Sequence, residues 1–120
     1  MQSQPRQPLL EVEMVADVAV VRFTHRSLLR AELIEALGEQ LTGLVEGSGC
    51  HKYVLNFANV ESMTTAMVGK LVSLHRKVEA GAGRLALCNI DPFLREIFKI
   101  LNLTHVFPMH DDEQAALQSF

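Results

Sequence analysis

The chain has 120 residues, 48% of them apolar and 21% charged, with 11 basic and 14 acidic side chains and a formal charge of −3. That length suits one domain, and that composition excludes a disordered or collagen-like chain. The acidic excess leaves no basic surplus of the kind that holds a protein to nucleic-acid phosphates, so no nucleic acid is expected as a partner.

Residues 1–8, with Pro5 and Pro8 among polar neighbours, read as a flexible N-terminal tail, and residues 9–120 as one domain. Over 9–15, Leu10, Val12 and Met14 alternate with Glu11 and Glu13, the period of a half-buried strand. Ala16-Asp17 turns the chain into the β-branched run 18–23, and the two segments predict an antiparallel hairpin. Over 29–46 the spacing becomes helical. Ile34, Leu37, Leu41, Leu44 and Val45 share one face, Glu32, Glu35 and Glu39 lie mostly opposite, and Gly47-Ser-Gly49 ends the helix.

Residues 53–57 form a short apolar strand suited to a central position. A second helix over 65–80 buries Val68, Leu71, Val72 and Val78, leaves Lys70, Ser73, Arg76 and Lys77 to water, and stops at Gly81-Ala-Gly83. Residues 84–88 are the next strand. Asp91 as N-cap and Pro92 at the first helical position open a third helix. Leu94, Ile97, Phe98 and Leu101 then repeat at i, i+3, i+4 and i+7, and Asn102 is a left-handed terminator. Val106-Phe107 predicts a short last strand, and Asp111 with Gln114 predicts a capping-box start to a final helix over 112–120. The order β-β-α-β-α-β-α-β-α predicts an α/β fold: a mixed sheet with one antiparallel edge, packed with amphipathic helices.

Templates for catalysis fail. Gly81 and Gly83 precede a strand and so cannot form a phosphate-cradling loop at a helix start. His25, His51, His75, His105 and His110 are scattered without metal-ligand spacing, and no Gly-x-Ser-x-Gly elbow exists. Cys50 and Cys88 lie in no thiol-activating signal, and Cys88, in an apolar strand, reads as buried and inert. With no secretory pattern at the start and no apolar run near the roughly eighteen residues of a membrane span, a soluble cytoplasmic protein with reduced thiols is expected. It is expected to have no catalytic residues, no metal and no cofactor.

The segment 59–69 remains, with three hydroxyls, Ser62, Thr64 and Thr65, between a buried strand and an amphipathic helix. One hydroxyl can cap the helix. The other, exposed at the helix start, can accept a phosphoryl group, and the two readings are compatible. Met67 either packs inward or joins a docking surface. Gly69, which costs a helix up to about 1 kcal/mol against alanine, suggests close approach by a neighbouring element or a partner.

From about Leu9 onward the chain resembles a STAS domain of the anti-sigma factor antagonist type. Met63-Thr64-Thr65-Ala66-Met67-Val68-Gly69 is similar to the family's Met-Asp-Ser-Ser-Gly-Leu-Gly segment, after the strand Val54-Leu-Asn-Phe57. Ala80-Gly-Ala-Gly-Arg-Leu-Ala-Leu-Cys88 resembles its glycine turn and following strand. Leu101-Asn-Leu-Thr-His-Val-Phe-Pro108 and Asp111-Asp-Glu-Gln-Ala-Ala-Leu117 resemble its C-terminal signature.

The resemblance implies a binding module switched by phosphorylation. Its partner would be an anti-sigma factor that is also a serine/threonine kinase of GHKL type, and its output the release of sigma factor for transcription. By position the acceptor is Thr65, with Thr64 as second choice. From their place beside Thr65 on the same helix, Lys70, Ser73 and Lys77 are read as a modest basic strip that could meet an acidic partner surface, and with Thr64, Thr65 and Met67 they make up the expected contact surface. Thr64 stands where the family has aspartate, Ala66 replaces its second serine and Met67 a glycine. A monomer or weak dimer without membrane insertion is expected. Two alternatives stay open: a non-phosphorylated adaptor subunit of a lipid-transport ATPase or stress-sensing assembly, and a small nucleotide-binding or hydrolytic α/β protein.

Overall fold

The computed structural model describes residues 8–120; residues 1–7 of the expected tail lie outside that span. In chain order the elements are β1 (Leu10–Val15), β2 (Val18–Phe23), β3 (Ser27–Leu28), α1 (Ala31–Gly47), β4 (Lys52–Asn56) and β5 (Ser62–Met63). They continue with α2 (Thr65–Ala80), β6 (Arg84–Cys88), α3 (Pro92–Ile100), β7 (Met109–His110) and α4 (Glu113–Gln118). The main sheet runs β1-β2-β4-β6-β7; β1 is antiparallel to β2 and every other neighbouring pair is parallel.

β4 and β6 are apolar on both faces because both faces are covered. On one, Tyr53, Leu55, Leu85 and Leu87 join Leu37 and Leu41 of α1, Met67 and Leu71 of α2, and Leu94 and Phe98 of α3 in one core. On the other, Val54, Ala86 and Cys88 meet Ala116 of the short α4. Each of α1, α2 and α3 therefore crosses between parallel strands on the same side of the sheet.

Four expectations need correction. First, β1 is an edge strand with water on both sides: Val12 and Met14 are 48% and 52% exposed, because no helix reaches that far across the sheet. Second, the first helix begins at Ala31, not residue 29, since Ser27 and Leu28 pair in parallel with Ser62 and Met63 as a separate two-stranded sheet. Third, Val106-Phe107 is a turn, and the last strand is Met109–His110. Phe107 is apolar for another reason. Its ring lies between His75 and Phe98, at centroid distances of 5.3 and 5.6 Å, filling the gap between α2 and α3. Fourth, the last helix is Glu113–Gln118, capped by Asp112, whose Oδ1 accepts from the Ala115 N–H at 2.8 Å; the expected capping box at Asp111 and Gln114 does not form.

The turn closing α2 has little freedom. Ala82 takes a left-handed φ of 59°, and a Cβ on Gly83 would be driven into the His51 carbonyl oxygen. Gly83→Ala is expected to cost about 2 kcal/mol or more in a urea titration, since the obstacle is backbone that cannot yield cheaply.

α4 is held to the sheet by charge. Glu113 receives Arg22 Nε at 2.7 Å and Nη2 at 2.9 Å, and Asn56 Nδ2 at 2.6 Å. Arg22 also reaches Glu13 at 2.9 Å. The hydrogen bond from Arg22 holds the Glu113 carboxyl below its ordinary range, against the opposing effect of burial. Its contribution to stability is complete above the unfolded carboxyl value and is lost as pH falls through the lower folded value. Glu113→Gln is expected to flatten the acid limb of stability against pH, measured by thermal unfolding from neutral to strongly acidic buffer.

Candidate docking and modification site

After β4 the chain turns back on two asparagine side chains. Asn56 Oδ1 accepts the Ala58 N–H at 2.8 Å, and Asn59 Nδ2 donates to the Phe23 carbonyl at 3.2 Å. It then runs beside β3, and the Thr64 N–H donates to the Leu28 carbonyl at 3.3 Å. Thr64 is extended, with φ −93° and ψ 167°, and its Oγ1 accepts from the Met67 N–H at 3.4 Å. Thr64 is thus the N-cap and is half-buried, while Thr65, the first helical residue, is exposed.

The two hydroxyls have separate roles: one faces the helix backbone, the other faces water at the positive end of the helix dipole, where added negative charge is tolerated. Thr64→Ala is expected to lower stability by about 0.5–1 kcal/mol, the low end for a cap because the bond is long. Thr65→Ala is expected to change it by less than about 0.5 kcal/mol. Urea unfolding of the two variants checks this division.

The remaining candidates divide. Ser73 and Arg76 are exposed. Met67 is 0% exposed, packed into the main core, and is corrected from a contact residue to a core residue. Lys70 and Lys77 are not a free basic strip. Lys70 Nζ lies 2.9 Å from Glu35 and Lys77 Nζ 2.8 Å from Glu46, both on α1. The groove between α1 and α2, about 380 Å³, is consequently walled by Glu35, Glu39, Glu46 and Lys70. Among the described residues, leaving aside the backbone of α2 itself, nothing lies within 4 Å of a Cβ placed on Gly69, so no neighbouring element there explains that glycine. Cys88 is buried as expected. Burial first, then the nearby Glu113 and Asp112 charges, push its thiol up to about 12, which keeps it protonated and unreactive.

Sequence periodicity missed several exposed apolar residues. Leu29 is 49% exposed and follows directly on Leu28, the pairing partner of Met63. Phe93, in the first turn of α3, is 82% exposed, and Ile100 at its end is 79% exposed. Phe93 lies four residues before Ile97, at helical spacing, so nothing in the periodicity marks it as exposed. Among the described residues no group of three His, Cys, Asp or Glu side chains could hold a metal ion, and no helix is long and apolar enough to cross a membrane.

The chain is 21% identical over 108 residues to the anti-sigma F factor antagonist of Paenibacillus polymyxa, covering 90% of this chain and 91% of that one. Its fold matches SpoIIAA of Bacillus in the phosphorylated form, with a TM-score of 0.70 at 23% identity, over 92% of this chain and 99% of the other. It also matches an anti-sigma-factor antagonist (STAS) domain protein from Planctomyces limnophilus, with a TM-score of 0.79 at 22% identity, over 92% and 95% of the two chains. The STAS domain model matches residues 10–116, nearly the whole described structure, and the chain belongs to the STAS domain family.

Proposed function

We propose that this protein is an anti-sigma factor antagonist whose binding to an anti-sigma factor kinase is switched off by phosphorylation of Thr65. The observation that carries the reading is the division of labour at α2: Thr64 caps the helix and leaves the Thr65 hydroxyl exposed. In the transfer step Thr65 Oγ1 attacks the γ-phosphorus of ATP held by the kinase. The new O–P bond forms as the bond to the β,γ-bridging oxygen breaks, ADP departs, and the hydroxyl proton passes to a base of the kinase.

The product carries about −1.5 to −2 charges at neutral pH. At the N-terminus of α2 that charge leaves the fold intact. Pressed under a partner surface it would be desolvated without a matching cation, and the complex separates. Support comes also from the named relatives, which are anti-sigma factor antagonists.

The test is capture from cells of the source organism with wild type, Thr65→Ala and Thr65→Glu as baits, with mass spectrometry of the bound proteins. An ATP-dependent kinase retained by the first two and lost by the third is expected. A transport or scaffold subunit retained equally by all three overturns the switch in favour of a passive adaptor, the reading that the departures at Thr64, Ala66 and Met67 favour.

A further inference from the structure

We propose that Leu29 and Phe93 are the apolar anchors of the kinase's footprint, placed on either side of Thr65; this rests on the function proposed above. α1, α2 and α3 follow β2, β4 and β6, which are consecutive in the sheet and parallel, and all three helices pack into one core on one side of it. Their N-termini therefore lie in a row at one end of the domain. Leu29 stands just before α1, Thr65 opens α2, and Phe93 lies in the first turn of α3.

Packed helices such as α1 and α2 lie about 8–10 Å apart, while α3 is the next helix in the row, with Phe107 between it and α2. Leu29 is tied closer still: Leu28 pairs with Met63, and its carbonyl accepts the Thr64 N–H.

Geometry also fixes the occupant. Transfer needs the γ-phosphorus within about 3–3.5 Å of Thr65 Oγ1. A standard protein interface buries about 800 Å² per partner, a disc of about 16 Å radius. A kinase seated on Thr65 must cover both neighbours, and the folded domain leaves them 49% and 82% exposed. Large side chains left open at the centre of a future interface are what binding anchors require. Met67, buried in the core, cannot supply that contact, and Lys70 and Lys77 are held by α1. The apolar contact thus passes from the helix bearing the threonine to the elements on either side. The kinase is expected to present two apolar pockets flanking its nucleotide site.

The test uses the full chain and the ATP-dependent kinase retained in the capture experiment, with Thr65 phosphorylation followed by intact mass. Leu29→Ser and Phe93→Ser are each expected to lower kcat/KM at least tenfold, mainly through KM. Val12→Ser, a smaller apolar loss on the β1 edge away from Thr65, is expected to leave the rate within twofold. All three sites are solvent-exposed, and unchanged thermal unfolding confirms that the variants are folded. Rates within twofold of wild type for both anchor variants overturn the inference and leave the Thr65 switch standing. Concentration-dependent dimerisation in sedimentation, abolished by Phe93→Ser, also overturns it, because the face then serves a second copy. If wild type is not modified at Thr65 at all, the function proposed above fails, and this inference with it.

Discussion

Phe107→Ala is expected to lower folding stability by about 3–5 kcal/mol, and so to lower the midpoint of thermal unfolding by roughly 10–20 °C. The ring is 0% exposed and makes edge contacts with both His75 and Phe98. Removing it opens a void where α2, α3 and the segment before β7 meet. With total stability of about 5–15 kcal/mol for a domain, that loss threatens the folded state itself. Phe107→Leu, which keeps most of the volume, is expected to cost less than about 1.5 kcal/mol. Urea titrations followed by circular dichroism separate the two; equal losses would show that the edge-on geometry matters more than the volume.

Thr65→Glu is expected to weaken the complex with the captured kinase by about 2–5 kcal/mol, the cost of one unpaired charge under an interface. In dissociation constants that is roughly thirtyfold to several thousandfold, within reach of isothermal titration calorimetry. Thr65→Ala is expected to stay within about threefold of wild type, since a small exposed hydroxyl at the edge of a cap loses little on removal. Both variants are expected to unfold at the wild-type temperature. A glutamate variant that bound normally would show that the partner does not sit over this helix start.

The strands and helices with strong periodicity were legible because one physical demand, burial of a face, wrote both the sequence and the structure. α2 was placed at Thr65–Ala80 from its spacing and its glycine stop, and Asp91-Pro92 announced α3. The failures lie where a residue's character had a different cause. Val106 and Phe107 looked like a strand because they are apolar, yet Phe107 is apolar in order to plug the core from a turn. β3 and β5, of two residues each, are too short for any period and exist only through each other.

At the site, the exposed threonine could be read from its place ahead of a helix, but its neighbours could not. The spacing of Lys70 and Lys77 suggested a free basic face. Only the packing of α1 against α2 brings Glu35 and Glu46 onto them. Phe93 counts as just another apolar residue until its surroundings are known.

The edge strand β1 has a consequence for the protein at high concentration. Among the described residues no strand pairs with its outer edge, and Val12 and Met14 give it an apolar side, a combination that invites stacking into fibrils. Two copies aligned antiparallel with Val12 facing Val12 would set Glu11 of each against Glu13 of the other, and a shift of two residues would oppose the two Glu13 side chains. Both of these alignments thus crowd carboxylates together, so this rim polices itself.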